Sequence, residues 1–219
     1  DGIICIGKFS KQEISDLKDL TPNLVFLDMP VEDPDITSIT LDFSQAVNTA
    51  MEYLYNFGHK KVGFLGGIET PQDNSALRDE RFDIFKDFCI AHNIEYENYI
   101  GMCEFNISAG YKAMAEMIEK GDLPTAIFAA SDPIAIGAMR ALQDKGYNVP
   151  DDISIIGFDN IEFASYTNPS LTTMSAPVYA MGFYGVSIVN SLISDGSKAL
   201  PTAMRIKLPC KLEIRNSCK

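Results

Sequence analysis

The chain has 219 residues, of which 46% are hydrophobic and 10% aromatic, and its formal net charge is −12. This size and composition allow a sizeable core and exclude the disordered and fibrous classes. The excess of acidic side chains repels a polyanion, so these residues are not expected to contact DNA themselves. No apolar run approaches the roughly 20 residues of a membrane-spanning helix, so no membrane partner is expected.

Five cysteines, an odd number, contain no CxxC pair and no metal-ligand spacing. Scattered reduced thiols are typical of a cytoplasmic protein, and they predict neither a disulfide framework nor a metal or cofactor site. The opening DGIICIG already has the pattern of a buried strand, with no Met or signal peptide before it. We therefore expect these residues to be part of a longer protein.

Short β-branched runs alternate along the chain with longer segments of helical period. The predicted strands are 3–6, 24–28, 62–65, 99–103, 125–129 and 153–156. Apolar residues at spacings of three and four predict helices over 43–58, 79–92, 108–121, 132–146 and 177–194, and a β-rich pair follows at 202–216. Gly58, Gly121 and Gly146 stand where helix C-caps are expected. This alternation is typical of α/β folds built from βαβ units around a mostly parallel sheet.

Signatures of catalysis are missing from the sequence. The turn GFLGG at 63–67 fits neither of the glycine-rich phosphate-binding patterns, and there is no GxSxG. His59 follows a helix end and is expected to bond the terminal carbonyls there, and a structural role is also expected for His92. These observations predict a protein that is not an enzyme.

Polar and aromatic residues appear instead where predicted strands end. Asp159 follows SIIGF, Ser131 and Asp132 follow AIFAA, Phe105 follows GMCE, Asp28 follows LVFL, and Arg81 lies beyond VGF. Because the carboxyl ends of parallel strands converge on one crevice, these residues are candidates for ligand contact. Carboxylates, a planar guanidinium and a hydroxyl suit a polyol, and an aromatic wall suits the C–H face of a sugar ring.

Each of these candidates has a structural alternative. Asp159 could fix its own turn as an Asx motif. Asp132 stands before Pro133 where an N-cap belongs, and capping is the favoured interpretation. Arg78 and Arg81 both lie near a helix start, where a cation is unfavourable, and this favours a functional role for one of them.

At these same residues the sequence resembles the effector-binding core of the LacI/GalR family of bacterial transcription regulators. The resemblance covers essentially the whole chain and is most specific in the segment ASDPIAIGAMRALQDKGYNVPDDISIIGFDN. It implies a periplasmic-binding-protein-like fold, with two doubly wound parallel-sheet lobes joined by a three-strand hinge and a sugar in the cleft. The N-terminal lobe is then 1–42 and 176–198, incomplete in this chain, and the C-terminal lobe is 43–175 and 199–219.

The resemblance also implies partners and site residues. A helix-turn-helix headpiece outside these residues would bind operator DNA, and the regulator would act as a cytoplasmic homodimer. Asp159, Arg81, Ser131, Asp132, Phe105 and Asp28 fall on the family's effector-binding positions.

Four departures from the family pattern are found. Ile84 replaces the glycine of RxxGF, which leaves Arg78 as a fallback for Arg81, and Phe43 replaces the usual Asn after Asp42. Ala176 stands where relatives often have a polar hinge contact, and Ser131 replaces Asn. The alternative functions are a free-standing sugar receptor for transport and a sugar-modifying enzyme.

Overall fold

The computed structural model describes residues 1–69, 77–195 and 203–219. The described chain forms two compact units. The first contains Asp1–Asp42 and the described residues of Pro177–Pro209, and the second contains Phe43–Glu69, Leu77–Ala176 and Cys210–Lys219.

Strands and helices alternate along most of the chain. The strands are β1 (Ile3–Ile6), β2 (Leu24–Leu27), β3 (Thr37–Leu41), β4 (Val62–Gly66), β5 (Ile68–Glu69), β6 (Leu77–Arg78), β7 (Ile100–Met102), β8 (Ala126–Ala129), β9 (Ser154–Asp159), β10 (Thr172–Ser175), β11 (Arg205–Leu208) and β12 (Lys211–Glu213). The helices are α1 (Lys11–Leu20), α2 (Phe43–Asn56), α3 (Glu80–His92), α4 (Ile107–Glu119), α5 (Asp132–Asp144) and α6 (Val178–Asp195), with a 3-10 turn at Glu162–Ser165.

The first unit is built on a four-stranded sheet in the order β1-β2-β3-β11, in which every pair is parallel. Leu24 and Phe26 of β2 pack with Ile36 in a small core. Helix α1 has no fully buried side chain and begins with a capping box between Ser10 and Glu13. Its partly buried Ile14 and Leu17 pack against the small core, so the helix is held by this contact and by its cap.

The second unit is built on a six-stranded sheet in the order β12-β10-β9-β8-β4-β7. All pairs are parallel except that of β12 with β10. Every side chain of β4 and β8 is buried, as expected for inner strands covered on both faces. Helices α4 and α5 cover one side of this sheet, and their backbones approach closely at Gly110 and Gly137.

The α/β class and all six predicted strands are confirmed, with ends shifted by up to three residues. Gly58, Gly121 and Gly146 follow α2, α4 and α5 with φ values of 91°, 87° and 83°, the left-handed conformation expected after a helix. The helix α1 and the strands β3, β5, β6 and β10 are additional to the predicted elements.

One boundary differs from the predicted lobes. The sequence placed 199–219 in the C-terminal lobe, whereas β11 pairs in parallel with β3, between Arg205 and Ser38 at one end and Leu208 and Leu41 at the other. Backbone pairing thus places β11 in the first unit, and the second unit resumes at Cys210. Residues 199–202 lie outside the described residues.

Candidate functional site

The candidate site lies in the second unit, at the carboxyl edge of its parallel strands. Four segments reach this edge: Gly67 follows β4, Phe105 follows β7, Ser131 and Asp132 follow β8, and Asp159 ends β9. Since these strands run parallel, the topology brings four of the predicted site positions to one edge of one sheet. The fifth candidate of this unit, Arg81, stands in the first turn of α3.

Arg81 is buried at 7% exposure, and its guanidinium is fixed by neighbouring groups. Its Nε donates to both carboxylate oxygens of Asp79, at 2.8 and 3.0 Å. One terminal nitrogen donates to the carbonyl of Ala130, at 2.5 Å. Asp79 also caps α3 by accepting from the Arg81 backbone N–H at 3.0 Å. The unfavourable position of a cation at a helix start is thus compensated by an adjacent buried carboxylate.

Three aromatic rings surround the guanidinium, and we call them the aromatic collar: Phe43, Phe105 and Phe158. Their centroids lie 4.9, 5.3 and 5.1 Å from the Arg81 Cζ, within the range of cation–π attraction. A Cβ at Gly67 would lie 2.1 Å from the Phe105 ring, so only glycine leaves space for that ring. The collar was missed at the sequence level, where Phe43 stood only as a departure from the family pattern.

Asp132 is fully buried and joins three segments of the unit. One carboxylate oxygen accepts from the Thr173 hydroxyl at 2.6 Å, and the other accepts from the Ile161 backbone N–H at 2.8 Å. A Cβ at Gly157 would lie 2.2 Å from the first of these oxygens, so glycine is required beneath the carboxylate. The side chain therefore ties the start of α5 to β10 and to the turn after β9.

The predicted N-cap role of Asp132 is wrong. Ser131 has the extended backbone of an N-cap, and its hydroxyl accepts from the Ile134 N–H at 3.5 Å, while Asp132 is the first residue of the helix. The residue before the proline was mistaken for the cap because Pro133 occupies the second helical position. The effector contacts assigned to Ser131 and Asp132 stay predictions.

The turn formed by Asp159 and Asn160 has an uncommon backbone. Both residues have positive φ, 103° and 60°, and the first value is sparsely populated by residues other than glycine. The side-chain amide of Asn160 donates a hydrogen bond to the Ser175 hydroxyl oxygen at 3.1 Å, and its oxygen accepts one from the Arg215 guanidinium at 2.7 Å. Strain of this kind persists only where surrounding bonds enforce it, and it is concentrated at binding sites.

The C-terminal segment makes hydrogen bonds that hold the same turn. Arg215 also donates to the Leu171 carbonyl at 2.7 Å. The Ser217 hydroxyl is buried, accepts from the Thr172 N–H at 2.8 Å and donates to the Ile155 carbonyl at 2.6 Å. Residues 215–217 thus bridge β9 and β10, the two strands that carry the turn.

Two other predicted candidates have different surroundings. Asp28 follows β2 in the first unit with φ 61°, and its backbone carbonyl accepts from Lys8 Nζ at 2.8 Å. Its effector contact stays a prediction. The side chain of Arg78, the fallback for Arg81, lies outside the described residues.

The histidines have structural partners, although not all are those expected. The ring of His59 bonds the Thr125 hydroxyl at 2.8 Å and the Lys219 carbonyl at 2.9 Å, so the predicted bond to helix-terminal carbonyls is wrong for this side chain. His92 makes such a bond instead, to the Phe88 carbonyl at 2.9 Å within α3.

Asp132 is expected to give the folded protein a pH-dependent stability. Burial raises its pKa from 3.8 to about 6, although bonds from Thr173, Ile161 and Asn160 and the charge of Arg215 favour the ionised form. The folded state therefore holds a proton that the unfolded state releases, so this contribution is complete below pH 3.8 and is lost as the pH rises through 6. Urea unfolding should be measured for wild type and Asp132→Asn at pH 4 and at pH 7. Between these two pH values the free energy of unfolding of wild type should fall by about 2 to 3 kcal/mol more than that of the variant. Parallel pH profiles would contradict this prediction.

Within 1–69, 77–195 and 203–219, no group of three or more His, Cys, Asp or Glu side chains is placed to hold a metal ion. All five cysteines are free thiols. None of the helices in the described part of the chain combines the length and apolar character that a bilayer crossing needs.

Known proteins share this architecture. A family model described as a periplasmic binding protein-like domain matches residues 51–218. The HTH-type transcriptional regulator GalR of Streptococcus thermophilus is 36% identical over 220 residues, covering 100% of this chain and 66% of that relative. The HTH-type transcriptional regulator GanR of Bacillus subtilis is 33% identical over 207 residues, covering 92% of this chain and 62% of the relative. The chain thus spans about two thirds of the length of these curated relatives.

A solved structure extends the comparison to three dimensions. The structure of a LacI family transcriptional regulator from Enterococcus faecium with bound ribose matches with a TM-score of 0.85 and 26% identity, over 100% of this chain and 79% of that chain. The resemblance noted in the sequence is confirmed. The chain belongs to the family of periplasmic binding protein-like domains, and it is similar to bacterial transcription regulators of the LacI/GalR group.

Proposed function

We propose that this chain is the effector-binding and dimerisation domain of a sugar-responsive LacI/GalR-type transcriptional repressor. A small sugar, galactoside-like, binds at the carboxyl edge of the six-stranded sheet and modulates operator binding by a helix-turn-helix headpiece. The protein acts in the cytoplasm as a homodimer and does not turn the sugar over. The names of the curated relatives, which are HTH-type transcriptional regulators, support a regulator over a transport receptor.

The geometry around Arg81 carries the proposal. A buried guanidinium, fixed by Asp79 and Ala130, stands beside the half-buried ring of Phe105. The N–H groups of a fixed guanidinium point in set directions, so they bind sugar hydroxyl groups that lie in those directions. An aromatic face packs against sugar C–H groups. Asp159, a half-buried carboxylate on a turn of enforced backbone, supplies the acceptor for vicinal hydroxyls.

Regulation follows from differential binding. If the sugar weakens operator affinity by some factor, the operator weakens sugar affinity by the same factor. A coupling free energy of about 1 to 3 kcal/mol corresponds to a change of roughly five- to 150-fold in either affinity. Half-sites on DNA are separated by about one helical turn, so a small displacement between two headpieces is enough to misalign them.

A thermal-shift screen tests this function. The chain is heated with D-galactose, methyl β-D-galactoside or D-ribose, and with D-mannitol as a polyol without a ring. A ligand present at about 100 times its Kd stabilises the folded state by roughly 2.7 kcal/mol, so at least one ring sugar should raise the Tm by several degrees. Mannitol should leave it unchanged. A flat response to every ring sugar would contradict the proposed function.

A further inference from the structure

The cation of the candidate site is already neutralised by the protein. Asp79 is 6% exposed, and each of its carboxylate oxygens accepts from Nε of Arg81, while one of them also accepts from the Arg81 backbone N–H. The Ala130 carbonyl accepts from a terminal nitrogen of the same guanidinium. An anionic ligand needs a guanidinium whose charge and fork are available to it. Here the charge is balanced before any ligand arrives.

The helix N-termini at this edge are also occupied by the chain itself. Asp79 caps α3, Asn106 caps α4 by accepting from the Ala109 N–H at 2.8 Å, and Ser131 caps α5. Helix N-termini are common positions for phosphate, because their N–H groups and dipole attract negative charge. At all three helices that follow β4, β7 and β8, a side-chain oxygen of the protein accepts from one of those N–H groups.

The remaining surroundings disfavour a negative ligand further. The aromatic collar surrounds the guanidinium with apolar surface. This apolar surface raises the free-energy cost of moving an ionised ligand group out of water and into the site. Asp132 and Asp159 add carboxylates at the same edge, and the chain as a whole carries a formal charge of −12. A phosphate or carboxylate would therefore meet repulsion from near and far groups.

We propose that the effector of this site is an uncharged sugar, and that phosphorylated and carboxylate sugars are rejected through the pairing of Asp79 with Arg81. This inference rests on the proposed function and specifies its ligand class. Recognition here depends on directed hydrogen bonds and ring packing, and not on net charge.

Isothermal titration of the full chain with matched sugars tests the proposal. The neutral compounds are D-galactose and D-ribose, and the anionic ones are D-galactose 6-phosphate, D-galacturonate and D-ribose 5-phosphate. The preferred neutral sugar should bind at least tenfold more tightly than its anionic counterparts.

Two variants test the role of Asp79. Asp79→Asn keeps an N-cap oxygen and removes the charge. In this variant the ratio of neutral-sugar affinity to anionic-sugar affinity should fall at least fivefold. Asp79→Ser supplies a second uncharged cap should the first variant fold poorly. Glu80→Gln is the matched control, because it removes the same charge from an exposed position one residue away and should leave the ratio unchanged.

Each result has a defined meaning. A clear neutral preference that narrows in Asp79→Asn and not in Glu80→Gln supports the inference. Anionic sugars that bind as tightly as neutral ones, or a ratio that both variants leave unchanged, overturn it while the proposed function stands. Failure of all five compounds to bind overturns the proposed function, and the inference with it.

Discussion

Replacing Asp159 by alanine should lower sugar affinity by roughly 100-fold, because a charge-assisted acceptor for vicinal hydroxyls is lost from the site. Asp159→Gly should lose affinity to the same extent. Isothermal titration with the sugar that gives the largest thermal shift measures both. The control is Glu162→Ala, an exposed acid three residues further along, which should bind like wild type. Wild-type sugar affinity in either Asp159 variant would show that this residue does not contact the sugar.

The same two variants separate a binding role from a turn-fixing role. At φ 103° a Cβ is strained, so the unliganded glycine variant should be more stable than the alanine variant by about 1 to 2 kcal/mol. Both variants lack the carboxylate, and the comparison therefore isolates the backbone. Urea unfolding without sugar gives the difference, and equal midpoints would mean that the turn relaxes at no cost.

Gly137→Ala should lower the free energy of unfolding by about 3 kcal/mol, the largest stability effect we expect from a single methyl group. A Cβ there would lie 2.1 Å from the Ile107 carbonyl oxygen and 2.6 Å from the Tyr111 backbone nitrogen. These are backbone atoms of α4, which cannot turn aside as a side chain can. The two helices would have to separate, and both bury side chains in one core.

A matched substitution controls for helix propensity. Gly182 lies inside α6, and a Cβ there has no neighbour within 4 Å. Gly182→Ala should therefore stabilise the protein by about 0.5 to 1 kcal/mol. Equal effects of the two substitutions on the urea midpoint would contradict the close approach of α4 and α5.

The sequence predicted those elements that leave a hydrophobic pattern. Strands such as β8 and β9 are nearly continuous apolar runs, because they are inner strands whose two faces are both buried. Strand β3 reads TSITL and β10 reads TTMS, and their buried hydroxyls interrupt that run. Helix α1 has no fully buried side chain, and its apolar contact with the core is limited to the partly buried Ile14 and Leu17. Its sequence signal was the capping box of Ser10 and Glu13, which was not used.

The site was predictable as a set of positions and not as a set of contacts. Strand ends identify Asp159 and Phe105, because parallel topology fixes where such residues gather. No spacing rule indicates that Asp79 both caps α3 and pairs with Arg81, since the pair depends on a side chain folding back onto its own turn. The N-cap was misplaced by one residue for a similar reason, because Ser131 and Asp132 are both good capping residues.

The bonds of Arg215 and Ser217 join parts of the sequence that are far apart. Arg215 lies 55 residues beyond Asn160 in the chain, yet its guanidinium holds the amide of that residue in place. Ser217 fastens the two strands on either side of the turn. Residues near 160 and near 215 therefore form one structural unit, and a graft that moves only the turn of Asp159 and Asn160 into another scaffold would leave its support behind.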